Sequence, residues 1–162
     1  MSDLMMTFAI GVGATAVMDV WSLARRAVFR VPAPDYRLVG RWVGHLVTGQ
    51  FLHESIAASP PVRREAAIGW TAHYLIGVGF AGLLVAIAGA DWCREPTLAP
   101  ALAVGVVTVL APFLIMQPGM GSGIAASRTP DPNAARLQSL ITHTVFGFGL
   151  YLSAWVIGRI AL

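Results

Sequence analysis

The sequence predicts an all-α, polytopic membrane protein with four transmembrane helices and one amphipathic interfacial helix, and three observations carry that expectation. Of its 162 residues, 56% are hydrophobic and only 12% charged, and the mean hydropathy is +0.69, outside the balance of a soluble globular domain. Four apolar windows, at about residues 4–24, 66–90, 98–117 and 137–160, are each long enough to cross about 30 Å of hydrocarbon at about 1.5 Å per residue. There is no lysine, and nine of the eleven basic residues (Arg25, Arg26, Arg30, Arg37, Arg41, Arg63, Arg64, Arg128 and Arg136) fall between windows one and two or three and four. By the positive-inside rule those two connections face the cytoplasm and both termini face out. No stretch is left for a soluble domain, so a single four-helix domain over residues 1–162 is expected.

The first window has no basic segment before it and no small-residue cleavage site before Arg25, which predicts a retained anchor rather than a signal peptide. Its Gly11, Thr15, Asp19 and Ser22 form one small, polar stripe that should point into the bundle. Over residues 36–48, Leu38, Val39, Trp42, Val43, Leu46 and Val47 recur at helical spacing, while Arg37, Arg41, His45 and Thr48 follow at i, i+4, i+8 and i+11. This helix is too short to span. Its basic face suits the headgroup region with Trp42 as anchor, and packing on the bundle as a lid is the alternative. His45 and His53 are then expected to be solvated or interfacial.

Windows two and four begin alike, with Ser59-Pro60 and Asp131-Pro132 each offering a capping side chain followed by proline at the first helical position. Both then carry one signature: His73-Tyr-Leu-Ile-Gly77-Val-Gly79 is matched by His143-Thr-Val-Phe-Gly147-Phe-Gly149. A weaker echo links Ala9-Ile-Gly-Val12 with Ala103-Val-Gly-Val106, so the chain reads as two helical hairpins in parallel repeat, the first bearing an insertion. The third window stops at Met116-Gln-Pro-Gly-Met-Gly-Ser-Gly123, a glycine-rich run that can sit at membrane depth only where protein or a water-filled cavity covers it. It lacks the lysine and the preceding strand of a phosphate-binding loop. Cys93 is alone, which excludes an intrachain disulfide and a cysteine metal site.

Windows two and four run opposite to one and three, so Asp19, His73, Gln117 and His143 share the cytoplasmic half. Asp19 lies about 9 Å inward of Arg25, His73 about 13 Å inward of Arg64 and His143 about 10 Å inward of Arg136. An ionisable side chain at such depth is costly to place, which makes Asp19, His73 and His143 a candidate interior cluster, with Thr15, Met116, Gln117 and Arg128 as further polar or soft neighbours. Four readings compete. The histidines can be structural hydrogen-bonding groups, axial ligands of a haem b, ligands with Asp19 of a metal ion that Met116 or Met120 would join, or parts of a proton or solute path. Gly77 and Gly147, at i+4, leave the space beside each imidazole that a flat cofactor or a close helix needs, whereas Gly79 and Gly149 face about 120° away.

Function follows only in outline. The excess of positive charge is explained by topology, so no nucleic-acid partner is expected, and no serine or cysteine has the surroundings of a nucleophile elbow. A membrane-embedded binding or redox component is the first reading; a small transporter or proton-coupled permease and a structural or assembly subunit are its rivals. Leu83-Leu-Val-Ala-Ile87 and Leu152-Ser-Ala-Trp-Val-Ile157 leave the outer halves nearly without polar groups, which disfavours a pore in one monomer. Gly77/Ala81 and Gly82/Ala86 offer small-residue faces to a second copy or another membrane subunit.

The motifs Gly11-Val-Gly-Ala-Thr-Ala-Val-Met-Asp19, Leu38-Val-Gly-Arg-Trp42 with Gly44-His45, His53-Glu-Ser-Ile-Ala57, Gly69-Trp-Thr-Ala-His-Tyr74, Ala111-Pro-Phe-Leu-Ile-Met-Gln-Pro118 and Gly123-Ile-Ala-Ala-Ser-Arg-Thr-Pro130 together resemble the small bacterial membrane proteins of domain-of-unknown-function family 2938. The resemblance covers nearly the whole chain and implies a four-helix protein of the bacterial inner membrane. It supplies no activity, substrate or catalytic residue.

Overall fold

The Ser2 hydroxyl accepts the Met5 N–H at 3.3 Å and opens α1, Asp3–Phe29, which ends where Arg30 turns left-handed. Asp35 caps α2, Tyr36–Leu46, by accepting from Arg37 N at 3.0 Å. Three further helices follow: α3, Glu65–Ala88, α4, Leu98–Gly119, and α5, Pro132–Ile160. The computed structural model describes residues 1–160, and among these there is no strand. Helices α1, α3, α4 and α5 are each long and apolar enough to cross a membrane.

The Asp131-Pro132 start is realised, since the Asp131 carboxylate accepts Ala134 N at 3.0 Å. Its counterpart is not. Ser59-Pro60 lies in the loop and α3 begins only at Glu65, because the carbonyls of Ile56, Ala57 and Ser59 are taken by Arg41 and that of Pro60 by His45. Arg64 then adopts a left-handed φ of 61°, and the Glu65 carboxylate reaches back to Val62 N at 3.3 Å. Helix α4 is regular only over Leu98–Val107 and continues through a π-helical turn, Pro112–Met116, since Pro112 cannot donate to the ladder.

Contacts sort the chain into two compact units. The first comprises Met1–Ala33, Tyr74–Thr108 and the chain from Ile141 onward; the second comprises Pro34–His73 and Val109–Leu140. In the first, Ile10, Ala14, Ala81, Leu84, Leu150 and Ala154 are fully buried, joined by Trp92 and Cys93 from the turn Ala90–Cys93. Helices meet there at glycines. A β-carbon on Gly11 would lie 2.5 Å from Val78 Cα and 3.0 Å from the Gly77 carbonyl, and one on Gly105 would lie 2.5 Å from Gly147 Cα. The crossing of α1 with α3 thus repeats in that of α4 with α5, so the weak echo between Gly11 and Gly105 is the packing half of the duplicated hairpin. Gly149 lies against Ala14, while nothing approaches Gly79. Ala81 is fully enclosed, so of the two small-residue faces only Gly82/Ala86 is turned outward. Leu4 is 81% exposed, Val20 65% and Leu23 61%, an apolar surface of the kind that lipid covers.

In the second unit α2 crosses the first turns of α3 with backbone against backbone. A β-carbon on Gly40 would collide with the Glu65 carbonyl, and one on Gly69 with that of Tyr36. The loop after α2 is tied to the glycine-rich turn by His53 N to Gly119 O at 3.0 Å and Ile56 N to Met120 O at 3.1 Å. Gly121, at φ 94°, lies under the Glu54 carbonyl, where no side chain fits. From these contacts Gly69→Ala and Gly105→Ala should each lower stability by about 1–3 kcal/mol through overpacking. Gly82→Ala, with nothing within 4 Å, should be neutral or stabilising. Thermal unfolding of the three variants in detergent checks the ordering.

Candidate functional site

In the first unit the pairs Tyr74–Asp19 and His143–Thr108 join helices through polar groups. The Tyr74 hydroxyl donates to the Asp19 carboxylate at 2.9 Å, bridging α3 and α1. One turn earlier on α1, buried Thr15 donates to the Gly11 carbonyl at 2.8 Å. His143 Nδ1 lies 3.1 Å from Thr108 Oγ1, and the Thr108 hydroxyl donates its only proton to Gly105 O at 2.7 Å. Thr108 must therefore accept from His143, which places the imidazole proton on Nδ1 and leaves the lone pair of the neutral ring on Nε2. The spaces at i+4 from both histidines are taken by close helices: a β-carbon on Gly77 would strike Thr15 Oγ1, and one on Gly147 would lie 2.8 Å from Ala101 O.

The second unit holds His73, which stacks on Tyr36 with centroids 4.1 Å apart and planes at 27°, and meets Trp70 edge-on at 5.8 Å. It also holds an ion-pair network. Arg41 Nε donates to Glu65 Oε2 at 2.8 Å and another guanidinium nitrogen to Oε1 at 3.1 Å, while its third nitrogen serves the carbonyls of Ile56, Ala57 and Ser59 at 3.0–3.3 Å. Arg37 adds two bonds to Glu65 Oε1 at 2.9 and 3.2 Å. The hydrogen bond to Glu65 raises the Arg41 pKa further above its ordinary value.

His45 and His53, expected in solvent or at an interface, are instead buried, at 9% and 8% exposure. Arg41 and His45, of the α2 face expected in the headgroup region, are buried, because Glu65 and the loop carbonyls offer them the partners that water would otherwise supply, while Arg37 and Thr48 of the same face stay exposed. Trp42, expected as a lipid anchor, donates to Phe51 O at 3.1 Å and packs over Gly119. The sequence signal that could have found this network is Glu65, the only acidic residue between Glu54 and Asp91.

Of the remaining candidates, Met116 closes the π-helical turn, and the buried Gln117 Oε1 accepts no hydrogen bond among the described residues. Arg128 is exposed, and its backbone N–H donates to Ser122 O at 2.8 Å. Asp19, Thr15, Gly77, Gly147 and His143 thus lie in the first unit, and His73, Met116, Gln117 and Arg128 in the second. Among the described residues, no three His, Cys, Asp or Glu side chains gather as a metal centre of that kind would require.

The model of the family described as "Protein of unknown function (DUF2938)" matches residues 8–157. The chain belongs to this family. No curated protein and no solved structure matches it. The matched region of this DUF2938 protein contains every polar group of the candidate site. Chemically, the arrangement supplies one imidazole whose tautomer is fixed by a hydroxyl relay, one carboxylate held by a phenol, and a charge network that locks α2 onto α3. In the DUF2938 fold Arg41→Met should lower the unfolding temperature in detergent far more than Arg37→Met. The first removes the guanidinium from the Ala57 and Ser59 carbonyls, leaves Ile56 O with the Ser59 N–H alone and takes two bonds from the buried Glu65 carboxylate, whereas the Arg37 side chain is 61% exposed.

Proposed function

We propose that this DUF2938 protein is a membrane-embedded binding component of the bacterial inner membrane. In this reading His143 Nε2 is its ligand-binding nitrogen, Asp19 is a further polar member in the same unit, His73 is a separate candidate in the second unit, and a metal ion or haem b is its cofactor. The observation that carries the reading is the relay from His143 Nδ1 through Thr108 Oγ1 to Gly105 O. Histidines that bind metals usually donate their second ring N–H to a fixed oxygen, which sets the tautomer and raises the basicity of the ligating nitrogen. The occupied spaces at Gly77 and Gly147 favour a single ion over a planar macrocycle. Fully buried Ile10, Leu84 and Leu150 weigh against a permease path through the first unit. A structural or assembly role is the second reading, and the glycine crossings favour it, because close packing alone explains them.

Metal analysis and an absorption spectrum of the purified full-length protein separate these. A bound metal should be lost in His143→Ala and weakened about 10–100-fold in Thr108→Val; haem b would add a Soret band with the same dependence. A colourless protein that neither carries nor takes up metal sinks the binding reading and leaves the assembly role.

Orientation belongs to the same proposal. With Arg-rich connections in the cytoplasm and both termini periplasmic, a reporter fused after Leu162 should be active in the periplasm. Activity in the cytoplasm would invert the topology.

A further inference from the structure

The loop and the glycine-rich turn of the second unit meet around two histidines whose hydrogen bonds do not add up for neutral rings. His45 Nε2 lies 3.1 Å from Pro60 O, and His53 Nδ1 lies 3.0 Å from Gly119 O. A carbonyl oxygen can only accept, so both of these nitrogens carry protons. The two remaining nitrogens, His45 Nδ1 and His53 Nε2, face each other at 2.8 Å. The ring centroids are 5.0 Å apart with planes at 28°, so the separation exceeds the nitrogen distance by about two ring radii, as for rings meeting edge to edge. Three hydrogen bonds need three protons, and two neutral imidazoles supply two. Without a third, two lone pairs would be pressed together inside a buried site.

We propose that His45 and His53 form a proton-binding site, in which one proton shared between Nδ1 and Nε2 gives the pair a single positive charge and latches α2 and the following loop to the glycine-rich turn. His45 belongs to α2, His53 to the loop, and Gly119 to the turn, where its carbonyl accepts from both the His53 ring and the His53 backbone. Loss of the shared proton turns the central bond into a repulsion, and the latch opens. The bound proton stabilises the closed arrangement at low pH, and that stabilisation is lost as pH rises. The charged groups on the elements packed around the pair are Arg41, one turn earlier on α2; Glu65 at the start of α3, neutralised by Arg41 and Arg37; and, in the loop, exposed Glu54 beside His53 and exposed Arg63 and Arg64 after Pro60. The turn meets the His53 ring with the Gly119 carbonyl, and its charged residue, Arg128, is exposed.

The test is nuclear magnetic resonance of the full-length protein in detergent with isotopically labelled histidine. Near neutral pH, one imidazole proton should be coupled to two ring nitrogens; with the label confined to histidine rings, a nitrogen–nitrogen coupling across a hydrogen bond can arise only between two joined imidazoles. His45→Gln should abolish it. If that variant does not fold, the wild-type coupling alone decides. On raising the pH the coupling should vanish together with hydrogen-exchange protection of the His53 amide. Facing nitrogens that are both unprotonated near neutral pH would overturn the proposal, as would a stoichiometric metal ion held between them. An unchanged His53 amide after the coupling is lost would overturn the latch.

Discussion

Helices in hydrocarbon gain little by hiding apolar side chains from one another, since lipid tails are equally apolar, so their association depends on how closely backbones can approach. This chain meets that constraint with glycine pairs. Gly11 against Gly77 and Gly105 against Gly147 join the helices of the first unit, and Gly40 against Gly69 seats α2 on α3 in the second. The close approach positions the polar groups as well. Gly105 leaves its carbonyl within reach of Thr108, which in turn holds His143, and the Gly40–Gly69 crossing brings Arg37 and Arg41 to Glu65. Packing therefore comes first, and the hydrogen bonds are made where it leaves room.

In the second unit a different economy rules. A buried guanidinium is tolerable only when its donors are satisfied, and every nitrogen of the Arg41 guanidinium has a partner. Three of those partners are loop carbonyls with no strand or helix to serve them, so Arg41 stands in for secondary structure. An irregular segment of this kind could not persist beside lipid unless its backbone were so satisfied. The arginine excess reads as topology from composition, and at this one position it is also the scaffold of a loop.

Much of this was legible. Length and hydropathy give the four long helices, Asp131-Pro132 gives the start of α5, and the His-x-x-x-Gly repeat with the Gly11/Gly105 echo gives the two equivalent crossings. Periodicity also gives α2, but a helical period fixes only which residues share a face. What that face meets depends on Glu65, 24 residues beyond Arg41, and no local rule connects them. The same non-local capture of loop carbonyls delayed α3 from Ser59 to Glu65. The His45–His53 pair was hidden for a related reason: a polar pair near arginines looks solvated until the chain is closed around it.

The duplication itself has diverged where chemistry is concerned. Both copies keep histidine and glycine at the same spacing, yet the neighbours that define an imidazole's role are supplied by different means. His73 is covered on its ring face by Tyr36, a residue of the insertion that only the first hairpin carries. A face contact of this kind fixes the plane of the ring. His143 is held at its edge, by a threonine one turn beyond the crossing glycine, and the tautomer follows from that single bond. At the matching place after Gly11, three residues on, stands Ala14, which has no hydroxyl to offer. The Thr108 relay is thus a property of the second hairpin, because the matching place in the first has no hydroxyl from which such a relay could be built.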